Sequence, residues 1–226
     1  GGFMSFADIE FARNPDPRCP VVLILDTSGS MADARPGHES SPIAALQEGL
    51  ETLVKELSQD TLASRRVELA IVSIGASVEV LSDFATVDEI VVPELTAMGP
   101  TPLGAGISKA LDMLESRKAS YRRNGVAYYR PWMIMITDGV PTDDISAVSA
   151  RIKEAEERKS IAFFPVAVEG ADLESLSAIS VRTPLLLKGV NFNELFVWLS
   201  ASATRVSSSR PGDAVDLPSV SGWAQV

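Results

Sequence analysis

The chain has 226 residues, 46% of them apolar and 22% charged. That excludes bulk disorder and gives enough chain to bury a core without covalent staples. One cysteine, Cys19, and one histidine, His38, exclude an internal disulfide, a multi-cysteine zinc site and a multi-histidine metal centre. The 30 acidic and 20 basic residues leave a formal charge of −10. Phosphate backbones are therefore poor partners, and a cation or a basic protein surface is a better one. No apolar run approaches the roughly 20 residues that span a bilayer. The polar 1–18 stretch lacks the apolar centre of a signal peptide, and no Asn-x-Ser/Thr sequon occurs. These features point to the cytoplasm and away from membrane insertion.

The first element expected is a strand over 21–25, apolar throughout and followed by Gly and Ser, which reads as buried on both faces. A polar loop follows over 31–41. Ser41 then caps a helix opened by Pro42, with Ile43, Leu46, Leu50, Leu53, Val54 and Leu57 at helical spacing. Strands over 67–74 and 78–81 are separated by three residues, too few for a parallel crossover, so they pair antiparallel. The pattern then predicts a helix over 104–118, a buried strand over 132–137, an amphipathic helix over 144–160 and a strand over 161–168. A short helix over 173–179, a short strand over 183–187 and a closing helix over 192–206 complete the body. Apolar strands alternating with amphipathic helices give an α/β class, a Rossmann-like fold with a mostly parallel central sheet, one antiparallel edge strand and helices on both faces. The expected organisation is an extension over 1–18, one domain over 19–206 and a tail over 207–226. That tail is anchored on the body by Val215, Leu217, Val220 and Trp223.

The chemistry concentrates where the first strand leaves the sheet. Asp26, Ser28 and Ser30 alternate, so in extended chain they point to one side, and Gly29 is expected to let the backbone turn. In open α/β sheets this carboxyl edge is where ligands bind. A rigid loop over 99–104 offers the Thr101 hydroxyl, and Asp138 ends the 132–137 strand. If the two strands are parallel neighbours, Asp26 and Asp138 sit side by side, and two close carboxylates need a cation to remain charged. Hard oxygens carrying few charges suit Mg²⁺ or Mn²⁺ and leave positions in an octahedron for water or an outside carboxylate.

The pattern Asp26-x-Ser28-x-Ser30, then Thr101, then Asp138 resembles the metal-ion-dependent adhesion site of von Willebrand factor type A domains. The resemblance covers roughly residues 19–206. Within that family the chain looks like the bacterial TerY-type proteins of tellurium-resistance-associated gene clusters. Arg18-Cys19-Pro20, Tyr128-Tyr129-Arg130-Pro131-Trp132 and the Leu217-Pro218…Gly222-Trp223 tail carry that likeness. The resemblance implies that Ser28, Ser30 and Thr101 touch the metal directly or through water, and that the aspartates often act through water. It also implies that a Glu or Asp of a protein partner completes the shell. A kinase, phosphatase or other product of the same gene cluster is the partner it suggests, in a stress response.

Enzymatic readings fit less well. Asp26 as the nucleophile of a Mg²⁺-dependent phosphoryl transfer is the chief rival, but Ser28 stands where a haloacid-dehalogenase-type phosphatase places its acid. No Gly-x-Ser-x-Gly elbow is present, and Ala105-Gly106 follows the 99–104 loop where a phosphate loop would need Lys-Ser/Thr. His38 reads as a surface residue. A basic and aromatic segment over 118–130 could stack single-stranded nucleic acid, but it reads better as a structured connector. The expectation is a binding module, not an enzyme.

Overall fold

In the computed structural model the described residues are 4–189, 191–220 and 224–225. The chain begins with helix α1 (Phe6–Arg13) and strand β1 (Cys19–Asp26), followed by a 3-10 turn (Gly29–Ala32). Helices α2 (Pro42–Ser58) and α3 (Thr61–Arg66) lead into the hairpin β2 (Val67–Ile74) and β3 (Val78–Thr86). Then come α4 (Leu103–Arg123), β4 (Trp132–Thr137), α5 (Ser146–Glu157) and β5 (Ala162–Ala167). The chain closes with α6 (Leu173–Ile179), β6 (Leu185–Leu187), α7 (Phe192–Ser208) and the two-residue β7 (Ala224–Gln225). The sheet order is β3-β2-β1-β4-β5-β6-β7. Strand β1 pairs in parallel with both β2 and β4, β4 with β5, and β5 with β6, whereas β3 runs antiparallel at one edge. The mostly parallel α/β fold is as expected, and β7 adds a second antiparallel pair at the far edge.

Alternation along the central strands explains the three layers. Val21, Leu23 and Leu25 join the core shared with Leu46, Leu50 and Leu53 of α2 and Phe192, Leu195 and Phe196 of α7. Val22 and Ile24 join the opposite core with Ile107 and Leu111 of α4, Ile152 of α5 and Leu176 of α6. Each fully buried Val, Leu or Ile stabilises the fold by roughly 1.5–3 kcal/mol over exposure. Helix α2 starts as its sequence predicts, with the Ser41 hydroxyl accepting from the Ala44 N–H at 3.3 Å and Pro42 in the first turn. Gly49 lets α7 approach α2: a Cβ there would stand 2.5 Å from the Phe196 ring. Gly49→Ala is accordingly expected to destabilise the domain by about 1–3 kcal/mol through overpacking, read from urea unfolding midpoints.

Several elements differ from expectation. β3 runs on to Thr86, past Ser82 and Asp83, because an edge strand is half exposed and tolerates polar residues. Helix α4 runs five residues beyond 118, carrying Tyr121 into the core. Helix α5 is shorter than 144–160, since Asp144 bonds the Ser146 N–H at 2.9 Å before the helix instead of lying in it. Met31, expected in a polar loop, is fully buried. Helices α1 and α3 were not expected. Their starts rest on local caps, a reciprocal Ser5–Asp8 box and the Asp60 carboxylate on the Ala63 N–H at 2.7 Å. In the tail, Leu217 and Val220 pack on the core and the Pro218 carbonyl accepts from the Trp198 indole at 2.8 Å. Trp223 lies outside the described residues. No described helix is long and apolar enough to cross a membrane.

Candidate functional site

Strands β1 and β4 lie side by side in the middle of the sheet, and the chain leaves them toward opposite edges. That divergence opens a crevice at their carboxyl ends. Asp26 closes β1 and is fully buried. Its Oδ1 accepts from the Ser28 N–H at 2.8 Å, turning the chain locally. Its Oδ2 accepts from the Thr137 hydroxyl at 2.7 Å and from the Asp138 N–H at 3.3 Å. The carboxylate is thus fixed from both strands.

The Ser28 and Ser30 hydroxyls lie 3.2 Å apart, and Ser30 donates to Asp138 Oδ1 at 2.9 Å. The 3-10 turn from Gly29 brings Ser30 round. Gly29 does not have the left-handed φ that would demand glycine, and a Cβ there would meet nothing closer than 3.9 Å. The expected conformational role for Gly29 is therefore absent, since a short 3-10 turn is open to most residues.

Backbone bonds bring the Thr101 loop in. Met98 N–H donates to the Thr27 carbonyl at 2.7 Å, Gly29 N–H to Gly99 at 3.0 Å and Thr142 N–H to Thr101 at 3.0 Å. Asp143 then accepts from the Gly104 and Ala105 N–H groups, both at 2.9 Å, at the start of α4. Gly139 leaves the space where these pieces meet. A Cβ on it would stand 2.9 Å from Thr101 Oγ1 and 3.4 Å from Asp26 Oδ2. All five predicted residues therefore come together, two carboxylates and three hydroxyls on three loops.

Comparison with known families matches the model of the von Willebrand factor type A domain to residues 21–195. The chain belongs to that family. Comparison with curated proteins gives no match. Among solved structures, this von Willebrand A domain resembles the pilus adhesin SpaC from Lactobacillus rhamnosus GG, with a TM-score of 0.67 and 13% identity. That alignment covers 84% of this chain and 31% of the adhesin. It also resembles the PilB minor pilin from Streptococcus sanguinis, with a TM-score of 0.58, 14% identity and coverage of 85% and 62%. A third is proximal thread matrix protein 1 from the mussel byssus with a zinc-occupied MIDAS motif, with a TM-score of 0.55, 12% identity and coverage of 84% and 48%. The chain spans less than two thirds of each of these proteins. At such identities the likeness concerns the fold.

The electrostatics of the von Willebrand A domain site are unbalanced. Burial pushes the Asp26 carboxyl above the usual carboxylate range. Hydrogen bonds from Ser28 and Thr137 pull it back, and the neighbouring Asp138 adds to the rise. A charged Asp26 is therefore a cost that a nearby cation would relieve. Among the described residues no group of three or more His, Cys, Asp and Glu gathers, so a cation here would depend on hydroxyl oxygens beside two carboxylates. The sequence reading missed Arg35, whose guanidinium pairs with Asp138. A lone arginine in a polar loop carries no spacing signal. It also missed Thr137, which reads as the last residue of a strand, and Asp143, which looks like an ordinary loop acid.

The basic and aromatic segment becomes a structured connector at the opposite end of the sheet. Tyr121 and Tyr129 are buried, Lys118 pairs with Glu115 at 2.7 Å and Arg130 with Glu156 at 2.6 Å. His38 is half buried, packed on Gly189, and stays apart from the five-residue cluster.

Proposed function

We propose that Asp26, Ser28, Ser30, Thr101 and Asp138 form a metal-ion-dependent adhesion site that takes Mg²⁺ or Mn²⁺ and, through it, a Glu or Asp of a protein partner. The observation that carries this reading is that hydrogen bonds join Asp26, Ser28, Ser30 and Asp138 into one cluster, and that the Thr101 hydroxyl meets Asp26 at the space beside Gly139. The donor set fits a hard divalent ion, because every donor is oxygen and only two are charged. The Thr101 hydroxyl has no hydrogen-bond partner among the described residues, although it points at the same space as Asp26. The mussel protein's zinc-occupied MIDAS motif supports a divalent cation in a fold of this kind. When bound, the cation supplies a positive centre with a position open to an outside carboxylate.

The chain's own groups divide the work. Ser28, Ser30 and Thr101 present neutral oxygens, which leave the positive charge largely unquenched for the partner. Asp26 and Asp138 supply the charge, and Thr137 and the Asp138 N–H keep Asp26 aimed at the crevice. The domain as a whole is acidic, so a cation is what lets an acidic partner surface approach. Von Willebrand A domains often mediate metal-dependent protein–protein interaction, and a binding role without turnover suits this site. Two residues after Asp26 stands Ser28, a poor acid, and the cluster contains no histidine, so the phosphoryl-transfer reading has no acid–base partner. The TerY-type segments further support a cytoplasmic stress system, with a kinase or phosphatase of the same gene cluster as partner.

Affinity capture with the immobilised domain tests this, run in Mg²⁺ and in EDTA. A partner retained only with Mg²⁺ is the expected result. Thr101→Ala should weaken its binding by about 10-fold or more with little change in stability, because that hydroxyl makes no internal bond. Equal retention in EDTA, or unchanged affinity of Thr101→Ala, would place partner binding on another surface.

A further inference from the structure

Asp138 already faces a cation. Its Oδ1 accepts from Ser30 at 2.9 Å, its Oδ2 is paired with the Arg35 guanidinium, and its side chain is fully buried under that pair. The other guanidinium nitrogen reaches toward the Ser30 carbonyl at 3.5 Å. Arg35 is thus held at the rim of the proposed site by the same two residues that would serve a metal.

Arg35 is also poorly committed to that position. Its Nε is buried and makes no hydrogen bond, and an unsatisfied buried donor is a standing cost. The segment that carries it, residues 32–41, is exposed or half exposed throughout and contains no regular element beyond the end of the 3-10 turn. It has one turn bond of its own, from the His38 N–H to the Arg35 carbonyl at 3.0 Å, and Gly37 with φ of 81°. Such a segment moves without unpacking the core.

We propose that Arg35 is the built-in counter-ion of this site: it occupies Asp138 in the metal-free domain, competes with the divalent cation there, and is released when the cation binds. This rests on the metal-site reading above. A guanidinium and a divalent ion that both draw on the Asp138 carboxylate repel each other, so occupancy by one weakens the hold of the other. The apparent metal affinity is then reduced by the fraction of molecules in which Asp138 is free. Loading also frees segment 32–41 and its positive charge at the rim. Arg35 therefore acts as a positioning residue that sets how readily the site fills.

The test is isothermal titration of Mn²⁺ and Mg²⁺ into the full chain and into Arg35→Gln, with the double variant Asp26→Ala/Asp138→Ala as a non-binding control. If Asp138 is free in about one molecule in ten, Arg35→Gln binds about ten-fold tighter. A second readout needs no partner. Amide exchange in 33–37 should rise when Mg²⁺ is added to the wild-type chain, and should already be fast in metal-free Arg35→Gln. Equal metal affinity in the two proteins overturns the counter-ion role and leaves the metal site standing, as does weaker binding by Arg35→Gln. Absence of metal binding in both proteins removes the metal site itself, and the counter-ion role with it.

Discussion

Asp26→Ala and Asp138→Ala are each expected to lower Mg²⁺ or Mn²⁺ affinity by about 10–100-fold, the range for a carboxylate that acts on a metal through another group. Together they should abolish measurable binding heat. Of the two single variants, Asp138→Ala is the cleaner probe. Asp26 accepts hydrogen bonds from the Ser28 N–H, the Thr137 hydroxyl and the Asp138 N–H inside the protein. Removing it strands those donors, at about 1–3 kcal/mol for each one left unsatisfied. The loss of a buried carboxylate already pushed up by burial offsets part of that cost. Asp138 has fewer obligations, namely Ser30 and Arg35, and both reach toward solvent. Calorimetric titration, with a melting curve in EDTA to check the fold, separates metal loss from unfolding. Unchanged affinity in the double variant would show that the two carboxylates do not hold the ion.

How much of this was legible in the sequence follows from what each signal encodes. The 132–137 strand matches β4 to the residue, because a strand buried on both faces is an unbroken apolar run. Asp26 and Asp138 come together because adjacent parallel strands must end at the same edge of the sheet, which needs no knowledge of any loop, whereas Thr101 arrives through the backbone bonds of its loop. The illegible parts are those whose signal lies in a partner distant along the chain. Arg35 is silent until the fold brings Asp138 to it across 103 residues. Helix α1 has a clear cap but only eight residues, with Phe6 and Ile9 exposed, and it holds its place through Phe11, which packs on Tyr121 at 5.6 Å between ring centres. Periodicity also treats charged residues as surface, so it cannot find an arginine and a glutamate that are buried together.

That last case gives the largest expected effect on stability. Glu68 is fully buried at the start of β2, beside Pro20 of β1 and Thr86 of β3, at the end of the sheet away from the proposed metal site. It accepts from Arg117 Nε at 3.0 Å and from the Tyr121 hydroxyl, and pairs with Arg18 Nε at 3.4 Å. Arg18, itself fully buried, spends its two remaining nitrogens on the Asp16 and Asn14 carbonyls at 2.6 and 2.8 Å. Arg117 reaches out to Glu10 of α1 at 3.0 Å, so the network also fastens that helix. Burial pushes the Tyr121 phenol upward and Glu68 adds to it, so Tyr121 stays protonated and donates. Glu68→Ala removes the anion between two arginines. It leaves Arg18 charged, dry and unpaired, which costs about 3–5 kcal/mol. The double variant Arg18→Met/Glu68→Leu, which removes both charges and refills the volume, should recover much of that loss. Metal affinity should be unchanged in both, because the network and the proposed site lie at opposite ends of the same strands. Urea denaturation of the two variants decides the matter. A loss below about 1 kcal/mol for Glu68→Ala, the level of an exposed pair, would mean that water reaches Arg18 and that the network does not anchor α1.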